Sequence, residues 1–88
     1  RIGGVTGWMR TAALADAWRL PLASHLFPEQ SCHLMAASPT AYYLEHMPWA
    51  QPLLAEKLAL VDGRVQLPSR PGLGLVWDTG AVKRWTVT

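Results

Sequence analysis

Charge and cysteine are both scarce in this chain of 88 residues, of which 16% are charged and one is a cysteine. The single cysteine excludes an intrachain disulfide framework, and no Cys/His set has the spacing of a zinc site. Eight Lys/Arg against six Asp/Glu give a formal charge of +2, and the basic residues are scattered along the chain. We therefore expect no nucleic-acid partner, and we predict a reducing, cytoplasmic location.

Long apolar runs are absent as well. No stretch reaches the roughly 18 apolar residues that a membrane span needs, and no secretory leader opens the chain, so we predict a soluble protein without a membrane partner. Half of the residues are nevertheless apolar, which argues against disorder. The length allows one small domain or a piece of a larger one, and the start at Arg1 instead of Met favours a piece.

The first helix is predicted over residues 8–18. This segment is rich in alanine and free of Gly and Pro, with either Thr6 or Gly7 as its N-cap. Leu14 and Trp18 are four residues apart, which places them on one face, and Trp8 and Trp18, which bracket the helix, are predicted to be packing residues.

A helix and two strands are predicted after it. Residues 20–24 form a short, mostly apolar run typical of a buried parallel strand, residues 29–37 suit a helix, and residues 41–44 suit a second strand. This alternation is typical of consecutive βα units in a parallel sheet or barrel. His25 and Glu45 each follow one of the strands, so we expect both to reach one cleft at the carboxyl edge.

The second half has a different pattern. Asp62-Gly63 between two apolar runs is a strong hairpin signal. Residues 75–77 suit one more extended piece, and the remaining segment, rich in Pro and Gly, is predicted to be an irregular tail that wraps back across the body of a protein.

Four segments, in the right order and spacing, resemble one known family. The segments are Arg1-Ile2-Gly3-Gly4-Val5-Thr6-Gly7-Trp8, Ser24-His25-Leu26-Phe27, His33-Leu34-x-Ala36-Ala37-x-Pro39-Thr40-Ala41-x-x-Leu44-Glu45 and Pro71-Gly72-Leu73-Gly74. Together they closely resemble the C-terminal part of the mandelate racemase/muconate lactonizing enzyme family of the enolase superfamily, in its mandelate racemase subgroup.

The resemblance implies an α/β fold, namely the C-terminal part of a (β/α)7β TIM-like barrel. Residues 1–50 would be the last βα units, and residues 51–88 would be a segment with a hairpin that packs back on the barrel and on an N-terminal capping domain. The implied cofactor is Mg²⁺, whose ligands we expect upstream of this chain. The resemblance also implies a small-molecule carboxylate as substrate and a homo-oligomeric parent protein.

The resemblance also implies the site residues. His25 resembles the histidine that acts as general acid/base, and Glu45 resembles the glutamate that donates a hydrogen bond to the substrate carboxylate. An aspartate that would orient the histidine lies just outside the chain. Chemistry supports these types, because imidazole exchanges protons near neutral pH and a carboxyl group donates a hydrogen bond only when protonated. Leu26, Phe27 and Met47 are predicted to supply an apolar wall, with Leu26 and Met47 as the substrate-binding residues.

Three functions stay open. The first is racemisation of a 2-hydroxycarboxylate by α-proton abstraction, and the second is dehydration of an acid sugar by a relative of the same subgroup. The third is a non-catalytic fragment, because the chain alone lacks the family's metal ligands. Without the resemblance, His25 would be read as a hydrogen-bonded structural histidine. Cys32 is predicted to be a core residue, and His33 is predicted to be a packed or partly solvated histidine of the second helix.

Overall fold

The computed structural model describes residues 2–88 and divides them into two compact units, one that ends at Met47 and one formed by residues 48–88. Within residues 2–88, no helix combines the length and the apolar character needed to cross a membrane. The assignment of residues 1–50 to barrel units and of residues 51–88 to a returning segment stays a prediction.

Helix α1 spans Gly4–Ala17 and begins earlier than predicted. The predicted caps, Thr6 and Gly7, lie inside the helix, and the N-cap is Gly3. Gly3 and Gly4 have φ angles of 88° and 83°, a left-handed conformation that glycine adopts without steric cost. The prediction of the helix was therefore right and that of its start was wrong, because two glycines turn the chain directly into the first turn.

Gly7 is required by a close approach of the backbone. A Cβ atom at this position would lie 1.9 Å from the carbonyl oxygen of Ile2. We expect Gly7→Ala to lower the free energy of unfolding by about 1–3 kcal/mol, as overpacking does, and to lower the melting temperature of the protein that contains this chain. Gly80→Ala is the comparison variant, because its Cβ would lie 3.2 Å from Oδ1 of Asp78, the oxygen that accepts from the Ala81 N–H, and this contact is far less tight than the overlap at Gly7. Equal melting temperatures for the two variants would contradict the prediction.

The two tryptophans predicted as packing residues of α1 differ in burial. Within residues 2–88, Trp8 is half-buried, whereas Trp18 is 72% exposed and Leu14, on the same face, is 61% exposed, so the predicted packing of Trp18 does not occur inside this part of the protein. The buried residues of the helix are Ala12 and Ala15. Their small side chains lie on another face of the helix, and α1 packs against the second helix.

Helix α2 spans Pro28–Ala36, within one residue of the prediction at each end. Proline suits the first helical position because it has no N–H to leave unpaired, and Glu29 in the first turn favours the positive end of the helix dipole. Cys32 and Met35 are buried and contribute to the core of the first unit, which confirms the prediction for Cys32. Trp8 Nε1 of α1 donates to Ser38 Oγ, just beyond α2, at 2.9 Å.

The two predicted strands of the first unit are extended segments that pair in parallel at one point. A parallel bridge joins Leu22 and Ala41. The Leu22 N–H donates to the Thr40 carbonyl at 2.9 Å, and the Leu22 carbonyl accepts from the Tyr42 N–H at 2.8 Å. The parallel direction agrees with the prediction. Residues 2–88 do not themselves show a barrel, which stays a prediction.

The second unit contains the predicted hairpin. Strands β1 (Leu60–Val61) and β2 (Arg64–Val65) pair antiparallel, with Leu60 opposite Val65 and Val61 opposite Arg64. Asp62 and Gly63 have φ angles of 48° and 71°, as the two central residues of a type I′ turn require. The Asp-Gly signal therefore located the turn.

The tail of this unit is more regular than predicted. A short 3₁₀ helix forms at Gln51–Leu53, and helix α3 spans Thr79–Trp85. Asp78 caps α3, because its Oδ1 accepts from the Ala81 N–H at 2.9 Å. An antiparallel bridge joins Leu54 and Trp77, which places part of the predicted extended piece. The prediction of an irregular end was wrong at α3, whose buried residue Ala81 joins the core of the unit.

Candidate functional site

The site lies where the two paired segments of the first unit end. Their pairing continues to Ser24, whose N–H donates to the Tyr43 carbonyl at 3.0 Å. The next residue on one segment is His25, and Glu45 follows two residues after Tyr43 on the other. Parallel strands end at the same edge, so this pairing brings the two residues to one place.

His25 and Glu45 are in direct contact. His25 Nδ1 lies 3.0 Å from Glu45 Oε2. The imidazole is 81% exposed and the carboxyl group is 38% exposed, so within this chain the ring is accessible to a ligand and the carboxyl group is largely covered. With Nδ1 directed at a carboxylate oxygen, the proton of a neutral imidazole is placed on Nδ1 and Nε2 is left as the acceptor. This arrangement makes Nε2 the nitrogen that can take a proton from a reactant.

Two further hydrogen bonds hold Glu45. Its Oε2 also accepts from the Leu26 N–H at 2.6 Å, and its own N–H donates to Ser24 Oγ at 3.0 Å. Ser24 is buried, so the backbone of Glu45 is fixed by a group that solvent does not reach. Oε2 of Glu45 therefore lies against two donors, the Leu26 N–H and His25 Nδ1.

The contact at Nδ1 differs from the arrangement that the resemblance implied. The resemblance gave the orientation of the histidine to an aspartate outside the chain, whereas within residues 2–88 the carboxylate at Nδ1 belongs to Glu45. A carboxylate at this nitrogen fixes both the tautomer and the orientation of the ring. The role of an upstream aspartate stays a prediction.

The loop after His25 is strained. Leu26 and Phe27 have φ angles of 60° and 48°, so two consecutive residues with side chains adopt the left-handed conformation. This conformation costs about 1–2 kcal/mol per residue, and such strain clusters at functional sites. Leu26 and Met47 are half-buried and Phe27 is 60% exposed. The backbone of Leu26 meets Glu45, and the substrate-binding roles of the Leu26 and Met47 side chains stay predictions.

Sequence reasoning missed two serines at this site. Ser24 accepts from the Glu45 N–H, and Ser31 Oγ donates to the Leu26 carbonyl at 2.9 Å. The signal for Ser24 was its position directly before His25 at the end of an apolar run. Ser31 had no signal in the spacing, because its contact depends on the left-handed loop.

The other candidates do not extend the site. Cys32 is 4% exposed, and desolvation by burial raises the pKa of its thiol, which disfavours the thiolate that a nucleophile needs. His33 is half-buried on α2. His46 Nε2 is buried without a hydrogen-bond partner among residues 2–88.

The described residues do not form a magnesium site. Residues 2–88 contain no group of three or more His, Cys, Asp or Glu side chains placed to hold a metal ion. The prediction that the magnesium ligands lie upstream of the chain is not tested by these residues.

Comparison with known proteins identifies the class. The chain belongs to the enolase C-terminal domain-like family, whose model matches residues 1–81. Among curated proteins, it is 40% identical to the L-talarate/galactarate dehydratase of Salmonella typhimurium over 86 residues, which are 98% of this chain and 21% of that protein.

Solved structures share the fold. An enolase from alpha proteobacterium bal199 with bound magnesium is 50% identical, with a TM-score of 0.92 over 96% of this chain and 23% of that one. An enolase from Bradyrhizobium in complex with magnesium and mandelic acid is 44% identical, with a TM-score of 0.90 over 98% and 24%. The L-talarate dehydratase of Polaromonas sp. JS666 in complex with magnesium and L-glucarate is 40% identical, with a TM-score of 0.86 over 100% and 24%.

Two conclusions follow from these relatives. The cofactor expected from the resemblance is bound in all three structures, which identifies the chain with a magnesium-dependent enzyme family. The chain spans about a quarter of the length of these relatives, between 21% and 24%.

Proposed function

We propose that this chain is the C-terminal part of a magnesium-dependent enolase-superfamily barrel enzyme that removes the α-proton of a hydroxycarboxylate and dehydrates an acid sugar. The observation that carries the proposal is the His25–Glu45 pair, in which the Oε2 atom of Glu45 faces Nδ1 at 3.0 Å and leaves Nε2 as a base. When bound, the metal would supply positive charge at the substrate carboxylate, from ligands outside residues 2–88.

His25 is the proposed general base. Its Nε2 takes the proton from the carbon next to the carboxylate, and general base catalysis of this kind contributes about 10²- to 10⁴-fold to the rate. The electron pair of the broken C–H bond forms the enediolate. The same imidazole, now protonated, returns the proton to the 3-hydroxyl as the C3–O bond breaks. Water leaves, and the resulting enol becomes a 2-keto-3-deoxy acid.

Glu45 is the proposed hydrogen-bond donor to the substrate carboxylate. The developing enediolate carries extra negative charge on its oxygens, and a fixed donor aimed at that charge stabilises the transition state. Protonated at Oε1, Glu45 can donate to the substrate while Oε2 keeps its contacts with Leu26 and His25. This division of the two oxygens is what allows one carboxyl group both to support the base and to bind the reactant.

Dehydration is preferred to racemisation for one reason. Two of the relatives reported above act, by name, as dehydratases of talarate or galactarate, and one of them holds an aldarate with magnesium. Racemisation of an aryl 2-hydroxy acid is the second candidate. It is favoured by the Bradyrhizobium relative with mandelic acid and by the apolar Leu26 and Met47 beside the proposed site residues in sequence.

The isolated chain is proposed to be inactive. Large apolar side chains such as Trp18, Trp49 and Trp85 are 65% to 72% exposed within residues 2–88, as expected for elements that pack on the rest of a larger protein. Together with the lack of a metal-binding group in residues 2–88, this exposure supports the view that turnover needs the complete barrel.

The test uses the protein that contains this chain, with Mg²⁺, in deuterium oxide. Galactarate and talarate are offered in one series and mandelate in the other. We expect a 2-keto-3-deoxy acid to accumulate from one of the aldarates. Deuterium incorporation with inversion of mandelate, and no keto acid, would replace dehydration by racemisation. No α-exchange with any of the acids would refute the proposal.

A further inference from the structure

We propose that Ser31 is a positioning residue of the site, which holds the left-handed loop at Leu26–Phe27 and through it the His25–Glu45 pair. The inference rests on the proposed function for its kinetic part. The hydroxyl of Ser31 lies on α2 and touches neither His25 nor Glu45 in the described contacts, so it acts through the loop.

The loop at Leu26–Phe27 has a backbone conformation that needs support. Leu26 and Phe27 have φ angles of 60° and 48°, a region that residues with side chains avoid. A strained conformation persists only when its surroundings fix it at several points. Leu26 and Phe27 must therefore be held by neighbouring groups.

Hydrogen bonds hold the backbone groups of this loop in place. The Leu26 N–H donates to Glu45 Oε2 at 2.6 Å, and the Leu26 carbonyl accepts from Ser31 Oγ at 2.9 Å. The Phe27 carbonyl accepts from the N–H groups of Gln30 and Ser31 at 3.0 and 2.9 Å. Both backbone groups of Leu26 are thus held by side chains, one from the site and one from α2.

Removing the hydroxyl of Ser31 would free the Leu26 carbonyl and loosen the loop. Ser31 is 7% exposed, so water does not readily replace its hydrogen bond to the Leu26 carbonyl. Relaxation of φ at Leu26 would turn its N–H away from Glu45 Oε2. The same oxygen contacts His25 Nδ1, so a loss at the loop displaces the carboxylate that orients the base.

Ser38 provides the matched control. Like Ser31 it is a buried serine, at 6% exposure, and its Oγ donates to a backbone carbonyl, that of Leu34, at 2.7 Å. It also accepts from Trp8 Nε1, so its removal also leaves a polar group without its partner. It makes no described contact with the loop or with Glu45.

The experiment compares Ser31→Ala and Ser38→Ala in the full-length protein. We expect Ser31→Ala to lower kcat by about 10- to 100-fold with a smaller change in KM, because a misplaced reactive group slows the chemical step. It should also accelerate amide hydrogen exchange at Leu26. We expect Ser38→Ala to lower the melting temperature about as much as Ser31→Ala does. It should leave both kcat and the rate of amide exchange at Leu26 unchanged.

The two readouts separate the two proposals. Unchanged exchange at Leu26 in Ser31→Ala would overturn the positioning role, as would an equal loss of kcat in both variants. Absence of turnover in the unsubstituted protein would overturn the proposed function alone. Exchange at Leu26 would then still decide whether Ser31 holds the loop.

Discussion

Replacing His25 by asparagine is expected to lower kcat of the protein that contains this chain by about 10²- to 10⁴-fold. Asparagine keeps a donor near Glu45 Oε2, to which His25 Nδ1 lies at 3.0 Å, but it has no group that takes a proton near neutral pH. The measurement is the rate of keto-acid formation from the aldarate that the unsubstituted protein turns over. The rate of α-deuterium exchange is measured in parallel and is expected to fall with it.

His33→Asn is the control for this variant. His33 lies on α2 and is half-buried, whereas His25 is the histidine at the end of the paired segment. We expect His33→Asn to shift the melting temperature and to leave kcat nearly unchanged. A His25→Asn enzyme that keeps more than about a tenth of kcat would show that another group removes the proton.

Local signals in the sequence located much of the fold. Helix α2 was predicted because Glu29 suits a first turn and Pro39 follows its end, and the hairpin was predicted because Asp62-Gly63 fits a turn with two positive φ angles. These features are determined by a few neighbouring residues, so they could be predicted without knowledge of the tertiary contacts.

Other features depended on conformations that spacing does not reveal. The early start of α1 rests on left-handed backbone at Gly3 and Gly4, and helix α3 was missed because its Gly80 and Val82 are weak helix formers. The helix is stabilised instead by its N-cap, Asp78, whose side chain accepts a hydrogen bond from the Ala81 N–H. Within residues 2–88, α1 buries Ala12 and Ala15 and leaves Trp18 exposed, which the spacing of its apolar residues did not reveal.

The site shows the same division. That His25 and Glu45 lie at one edge could be predicted because each follows an apolar run and the segments pair in parallel at Leu22–Ala41, whereas their roles came from the resemblance and stay predictions. The direct contact between them, and the choice of Oε2 as its acceptor, could not be found. Both depend on the turn at Leu26, whose N–H binds the same oxygen.

Truncation of Glu45 is the second large effect that we expect. Glu45→Ala removes the acceptor of the Leu26 N–H, the carboxylate at His25 Nδ1 and the proposed donor to the substrate. Loss of one such donor costs about 10²- to 10³-fold in kcat, and we expect a fall of at least this size. The kinetic constants are measured with the same aldarate. Glu56→Ala serves as the control, because Glu56 pairs with Arg70 on the exposed surface of the second unit and should leave kcat unchanged.

Glu45→Gln distinguishes the two ways in which this residue could act. A glutamine can accept from the Leu26 N–H with its oxygen and donate to the substrate with its amide nitrogen, so a role as neutral donor predicts that it retains much more activity than alanine. A role that needs the negative charge at His25 Nδ1 predicts that both variants lose activity to the same degree. We expect glutamine to exceed alanine by at least about tenfold in kcat, which corresponds to about 1.4 kcal/mol of transition-state stabilisation. Equal values for the two variants would assign Glu45 to the orientation of the base and leave the substrate carboxylate to another group.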